Sequence, residues 1–232
     1  SEFSGHRKAA IMFRDEAAGE VRQSRLRGNV GHGIVIHGSS RPLVEDNDFI
    51  ANGSPAVVVR GQATPVIREN RFRDNEDYAV VVGGAAQPTI TGNVMTGQKL
   101  PAIAIRDEAG GIVRGNHLRD NAGYGIIVCG SGQPIVEEND IRAHKLPGIA
   151  VMDQAKAVVR GNILEDNEGV SIAVNDTAQP IIEGNTLKSN KRTLGSASDG
   201  DGASEEGDLN SRRWVKRAAI AIRDQASGVV RS

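Results

Sequence analysis

The chain has 232 residues and a formal net charge of −1, so its overall charge gives no reason to expect nucleic acid or a membrane surface as a partner. Only 3% of the residues are aromatic and 28 are glycines, which argues against an ordinary globular core. No apolar run approaches the roughly 18 residues of a membrane span. The single cysteine, Cys129, excludes an intrachain disulfide and favours a reducing, cytoplasmic location.

Residues 1–7 are interpreted as the N-terminal edge of the fold, with a cloning remnant at Ser1, Glu2 and Phe3. Regular repeats follow over 8–192. Their clearest marker is an asparagine that returns every 23 residues, with Ser24 in its place in the first repeat. The asparagines are Asn47, Asn70, Asn93, Asn116, Asn139, Asn162 and Asn185. A constant period of this length is typical of a solenoid.

Each repeat contains three short runs rich in valine and isoleucine, separated by turn residues, as β-strands are. One run precedes the asparagine and one follows it, as at Val113 and Leu118 around Asn116, and the third comes earlier, as at Ile103. Each strand would pair with its counterpart one repeat on. The sequence therefore predicts an all-β fold, a right-handed parallel β-helix with 23-residue coils and three strands per coil. Leucine-rich repeats have a similar period, but their LxxLxL spacing is missing.

The polar columns at the turns are interpreted as structural. Nine positions before each asparagine stands glycine or aspartate, as at Gly84 and Asp107, and both tolerate the left-handed backbone of a tight corner. The asparagines are expected to form a ladder between coils about 4.8 Å apart, with a second ladder five positions later. Two positions before the asparagine, arginine and glutamate alternate in most coils, which favours attraction between neighbouring coils.

Two segments, VRGQATPVIRENRFRDN and AVNDTAQPIIEGNTLKSN, share the pattern A-x-P-x-I-x-x-N and resemble the parallel β-helix repeats of the pectin-lyase-like superfamily. The resemblance covers about 8–192 and resumes at 218. It is closest in style to the regular β-helices of F-box substrate receptors, related scaffold proteins, and bacterial carbohydrate-binding or copper-assembly accessory proteins. The resemblance implies the fold and leaves several functions open.

Catalysis is the less favoured function. The family's pectate lyases and polygalacturonases wall in their substrate with long turn insertions, and no insertion interrupts the eight regular coils. The turn column places Asp153 and Asp176 in adjacent coils, with Asp107 two coils from Asp153, so it could supply a carboxylate pair. None of the three aspartates has an evident acid–base partner. We therefore predict no catalytic residue, no metal and no cofactor.

The candidate partner-binding face is the outward side of the third kind of strand. Alternation places Ile34 and Ile36 inside and predicts a flat, exposed apolar column beside them. The column includes Val35, Val58, Val81 and Ile127, flanked on the outside by Ala10, Gly33, Ala56, Ala79, Ala102, Gly125 and Gly148. Arginines run alongside it, namely Arg14, Arg60, Arg106 and Arg223.

Residues 193–217 are predicted to be a disordered insertion of about 25 residues, acidic and then basic. Within it, Ser196 and Ser198 each precede an aspartate by three residues and are candidate phosphorylation sites. Trp214 is a candidate hot spot for partner binding. Residues 218–232 begin a further coil and stop part-way through it, so the chain is expected to be a fragment of a larger protein.

Taken together, these patterns favour a non-catalytic scaffold that binds a protein partner. The first alternative is a carbohydrate-binding or carbohydrate-modifying β-helix. The second is a structural solenoid that self-associates end to end through uncapped coils. No nucleic-acid or membrane partner is expected.

Overall fold

The computed structural model describes residues 1–190 and 220–231, which form three parallel sheets wound into a β-solenoid. Sheet A comprises β1 (Glu2–Ser4), β4 (Arg25–Arg27), β7 (Asp48–Ile50), β10 (Arg71–Arg73), β13 (Val94–Thr96), β16 (His117–Arg119), β19 (Asp140–Arg142), β22 (Ile163–Glu165) and β25 (Thr186–Lys188). Sheet B comprises β2 (Ile11–Phe13), β5 (Ile34–Ile36), β8 (Val57–Val59), β11 (Val80–Val82), β14 (Ile103–Ile105), β17 (Ile126–Val128), β20 (Ile149–Val151), β23 (Ile172–Val174) and β26 (Ile220–Ile222). Sheet C comprises β3 (Glu20–Arg22), β6 (Leu43–Glu45), β9 (Val66–Arg68), β12 (Thr89–Thr91), β15 (Ile112–Arg114), β18 (Ile135–Glu137), β21 (Val158–Arg160), β24 (Ile181–Glu183) and β27 (Val229–Arg231). Across these residues there is no helix with the length and hydrophobicity that a membrane crossing requires.

The strands pair in the register that the repeat predicts. Val57 lies opposite Val80, one 23-residue period on. Ile220 of β26 lies opposite Ile172 of β23, a separation of 48 residues and so one period plus 25. At the other end, residues 1–7 contribute β1, because Phe3 lies opposite Leu26. The all-β architecture of three strands per coil is confirmed.

The core consists of inward-facing columns of branched aliphatic residues. Ile34, Ile36 and their equivalents on the sheet B strands from β8 to β23 are fully buried, as predicted. On sheet A the rings of Phe49 and Phe72 stack in adjacent coils with centroids 4.6 Å apart and planes 5° from parallel. In-register pairing therefore places like side chains on one another, which fills the narrow interior with few residue types.

Two asparagine ladders line the interior corners on either side of sheet A. In the first, Asn93 donates from both its backbone N–H and its side-chain Nδ2 to the Oδ1 atom of Asn116, each at 3.0 Å. The Nδ2 atom of Asn116 donates in turn to the carbonyl of Ile90 at 2.9 Å and to Asn139. Buried polar groups are costly unless they are paired, and the ladder pairs them coil by coil. The predicted ladder of Asn47, Asn70, Asn93, Asn116, Asn139, Asn162 and Asn185 is confirmed.

The corner between sheets B and C requires left-handed backbone. Its residues have φ values between 58° and 86° in the described coils, as at Asp107 (61°) and Gly130 (86°). Glycine and aspartate are among the residues that adopt this conformation at low cost, which explains their shared column.

Candidate interaction face

The outward column of sheet B is less exposed than its alternation predicted. Met12 is 52% exposed and Val35 and Ile127 are half-buried, but Val58 and Val81 are only 2% and 8% exposed. None of these outward residues belongs to the central hydrophobic core. The expectation of a flat, exposed valine surface is therefore wrong at Val58 and Val81.

One arginine beside this column is held by an aromatic side chain. The Arg106 guanidinium donates to the hydroxyl of Tyr78, and its Cζ atom lies 4.9 Å from the centre of the Tyr78 ring. Tyr78 precedes β11 whereas Arg106 follows β14, so the two side chains reach towards each other along the outside of these two strands. Charge-assisted hydrogen bonding and a cation–π contact hold it there.

The small residues flanking the column face inward and not outward. Ala56, Ala79 and Ala102 are fully buried in the hydrophobic core. A Cβ atom on Gly33 would lie 3.0 Å from the Phe49 ring, and one on Gly125 would lie 2.6 Å from Ile141. The strict alternation used in the prediction fails here because the chain turns a corner just before the strand, where only a small residue fits.

Three arginines of the column differ in exposure and contacts. Arg14 and Arg60 are exposed, whereas Arg106 is held by Tyr78. Cys129 occupies the same column, and burial raises the pKa of its thiol although the nearby Arg106 acts in the opposite direction. A thiol with a raised pKa is poorly suited to nucleophilic chemistry.

The aspartates of the turn column have structural partners. The carboxylate of Asp107 accepts a hydrogen bond from the N–H of Gly84 at 2.8 Å, and that of Asp153 accepts one from Gly130 at 2.8 Å. The carboxylate of Asp176 accepts one from the N–H of Asp153 at 3.0 Å. Each carboxylate thus joins two coils. Across 1–190 and 220–231, no three His, Cys, Asp or Glu side chains are grouped so that they could hold a metal ion.

Three of the predicted site residues, Trp214, Ser196 and Ser198, lie outside the described residues. Their assignments as a hot spot and as phosphorylation sites stay predictions.

Sequence reasoning missed a polar groove at the corner between sheets B and C. It is open to solvent and has a volume of about 560 Å³. Its lining consists of Gln87, Glu108, Gly110, Ser131, Gln133, Gln154 and Lys156. The sequence does contain a pattern that indicates this groove. Two columns of long polar residues are interrupted by the small residues Gly110 and Ser131, which leave space between the longer side chains.

Sequence reasoning also missed an apolar column on the outside of sheet C. Its members include Ile112, Ile181 and Val229, which are 37%, 39% and 46% exposed. Beside it lies the predicted column of alternating charge, which forms ion pairs between coils. Glu45 is contacted by Arg22 at 3.2 Å and by Arg68 on its other side.

On sheet A, two aspartates gather arginines that the sequence analysis did not single out. Asp48 has Arg25, Arg71 and Arg73 within 4.0 Å. Burial raises the pKa of Asp140, but hydrogen bonds from Arg142 and Arg119 outweigh that effect and hold the pKa below its usual range. Both carboxylates therefore form ion pairs that link neighbouring coils of sheet A.

The sequence matches the family model described as the right-handed β-helix region, over residues 1–94 and 55–208. The chain belongs to the right-handed β-helix family. This match supplies the handedness of the solenoid, and the sheet topology of the structure agrees with it. No curated protein sequence shows significant similarity to the chain.

Proposed function

We propose that the chain is a non-catalytic β-helix scaffold that binds a protein partner through the outer face of sheet B. The observation that carries this proposal is the Tyr78–Arg106 pair, which lies on the outside of β11 and β14, the strands that contain Val81 and Ala104. Tyrosine and arginine are enriched among residues that dominate binding energy, and a side chain already held in place loses little conformational freedom on binding.

The neighbours of this pair provide the rest of a contact surface. Met12 is exposed, Ile127 is half-buried, and the cations of Arg14 and Arg60 reach solvent. A shallow surface with an apolar centre and charged edges matches the usual anatomy of a protein–protein interface.

The non-catalytic part of the proposal is supported by the engagement of the groups that could do chemistry. The carboxylates of Asp107, Asp153 and Asp176 accept backbone hydrogen bonds, and the Cys129 thiol has a raised pKa. Cleavage of a polysaccharide that is abolished by Asp153→Asn would contradict this part.

The partner-binding part can be tested by site-specific cross-linking. A photo-crosslinking amino acid replacing Arg60 on sheet B should capture a protein that the same replacement of Arg73 on sheet A does not capture. The captured protein, once purified, should bind the Ile127→Asp variant at least about tenfold more weakly than the wild type.

The matched control for that titration is Ile163→Asp, which places the same change on the outside of sheet A, where Ile163 is 38% exposed. It should alter the affinity by less than about twofold. Equal binding by the wild type and the Ile127→Asp variant would remove sheet B as the binding face.

A second candidate function, carbohydrate binding, is favoured by the polar groove. The amides of Gln87, Gln133 and Gln154 offer both donors and acceptors, which suits sugar hydroxyl groups. A glycan array would test it. Binding that Gln133→Ala and Lys156→Ala both abolish would favour this function over protein recognition.

A further inference from the structure

We infer that the outer face of sheet C is a self-association surface that takes a second copy of this chain in antiparallel orientation. The inference does not depend on the proposed function, because sheet C and sheet B are separate faces of the solenoid. It rests on the outward-facing residues of the eight strands of sheet C from β3 to β24.

The first component is the apolar column. The first residue of almost every strand of sheet C points outward and is aliphatic. The column comprises Leu43, Val66, Ile112, Ile135, Val158 and Ile181, with Thr89 as its polar member and Glu20 at its end. An apolar row along one side of a solenoid, interrupted only by Thr89, is available to pack against another such row.

The second component is the charged column two residues further along each strand. In coil order it comprises Arg22, Glu45, Arg68, Thr91, Arg114, Glu137, Arg160 and Glu183. Within the chain, Arg160 contacts Glu137 at 2.7 Å and Arg114 lies 3.8 Å from it. The glutamates are largely covered, with 12% of the Glu137 side chain exposed, while half of the Arg160 side chain, 49%, remains exposed.

The alternation of charge selects one arrangement of two copies. A two-fold axis parallel to the strands brings apolar column onto apolar column and charged column onto charged column, with the coil order reversed. If the axis passes between β12 and β15, every opposed position of the described coils combines arginine with glutamate or with threonine. The opposed pairs are Arg22 with Glu183, Glu45 with Arg160, Arg68 with Glu137, and Thr91 with Arg114.

A shift of one coil reverses this result. With the axis on β12, Arg22 meets Arg160, Glu45 meets Glu137, and Arg68 meets Arg114. Like charges placed opposite one another are unfavourable, so the alternation specifies the register as well as the orientation.

The area sets the strength of the association. Eight strands about 4.8 Å apart span roughly 35 Å, and the outward residues cover a width of roughly 13 Å. Two such faces bury on the order of 900 Å², which is below the standard size of about 1,600 Å² and near the lower limit for a specific contact. The association is therefore expected to be weak and to depend on concentration.

Sedimentation equilibrium of the purified chain over a range of concentrations tests the surface. Ile112→Asp on sheet C should weaken self-association at least about tenfold, because it places a charge in the apolar row. Ile163→Asp is the matched control, since Ile112 and Ile163 are 37% and 38% exposed on different sheets. The control should change the dissociation constant by less than about twofold.

Cysteine cross-linking tests the register. With Cys129→Ser in the background, Leu43→Cys and Val158→Cys together should form an intermolecular disulfide, because these positions face one another across the axis. They are five coils apart within the chain, too far for an internal bridge. Leu43→Cys with Ile135→Cys, which are offset by one coil, should not cross-link.

If Ile112→Asp fails to fold, charge reversal provides a second test. Glu183→Arg alone should weaken self-association, and Arg22→Glu added to it should restore it. A chain that stays monomeric at millimolar concentration, equal disruption by Ile163→Asp, or equal cross-linking of the offset pair would each overturn the inference. Loss of partner capture by sheet B variants would leave self-association unchanged, so the two proposals fail separately.

Discussion

The second ladder contains one residue without a side-chain amide, His144. It is fully buried, and its backbone N–H donates to the Oδ1 atom of Asn167 at 3.1 Å as an asparagine would. Its Nε2 atom lies 3.2 Å from the carbonyl oxygen of Leu118, while its Nδ1 atom is buried without a hydrogen-bond partner. Burial lowers the pKa of His144 to about 4, against the opposing effect of the Leu118 carbonyl. The imidazole is therefore neutral in the folded protein at physiological pH.

We predict that His144 makes the fold sensitive to acid. In the unfolded chain the imidazole takes up a proton below pH about 6.5, whereas the folded protein resists until pH about 4. Because the unfolded state binds more protons in that window, the free energy of unfolding falls as the pH falls, by up to roughly 3 kcal/mol. His144→Asn should remove this part of the loss, as measured by urea unfolding at pH 7, 5.5 and 4.

His37→Asn, at an exposed position, is the control for that measurement. Only the difference between the variant and the wild type is informative, since other groups titrate in both. If the free energy of unfolding falls equally with pH in His144→Asn and in the wild type, His144 does not set the acid sensitivity.

At the scale of the element, the corner between sheets B and C combines a backbone requirement with a hydrogen bond. Asp153 has a φ of 58° and accepts a hydrogen bond from the N–H of Gly130. Gly130, with a φ of 86°, meets the backbone requirement but has no side chain to accept a hydrogen bond. The corner thus accepts glycine or aspartate for one shared reason, and aspartate adds a link between coils.

We predict that alanine is worse than glycine at this corner. Asp153→Gly loses the hydrogen bond, at a cost of about 1 kcal/mol. Asp153→Ala loses the same bond and also places a Cβ atom in left-handed backbone, at a further cost of about 1–2 kcal/mol. Urea unfolding of the two variants measures the difference, and equal stability would refute the strain argument.

At the scale of the whole molecule, every described coil contacts its neighbours through the same three sheets. In solenoids of this kind, stability is approximately a sum of terms for single repeats and for their interfaces. Cooperative folding should therefore depend more on the register between neighbouring coils than on the number of coils.

We therefore predict that removal of one whole period is tolerated. Deletion of 94–116 joins Asn93 to His117 and preserves the 23-residue spacing of each column. The shortened chain should keep its β-sheet signal in far-UV circular dichroism and unfold cooperatively. Deletion of 94–104 removes part of a coil and should abolish cooperative unfolding, because the remaining residues cannot connect the three sheets. Equal behaviour of the two deletions would contradict the register argument.

The sequence by itself determined the fold, the strands, the ladders and the turn column of this protein. In-register parallel pairing returns each position to the same environment every 23 residues, so one residue class per column is enough to assign that column. The left-handed corner at Asp107 and the ladder at Asn116 followed from residue type and period alone.

Only the tertiary structure decided which outward residues are exposed. Val58 and Val81 point away from the core as alternation predicts, yet they are covered. The exposure of a side chain depends on contacts between different columns. The contact of Arg106 with Tyr78 is one of this kind, and such contacts depend on side-chain length and direction. The corner before sheet B likewise turns Ala79 inward, a change of direction that a two-residue period does not contain. A periodic sequence specifies the environment within a column, whereas the meeting of different columns depends on how the coil closes in three dimensions.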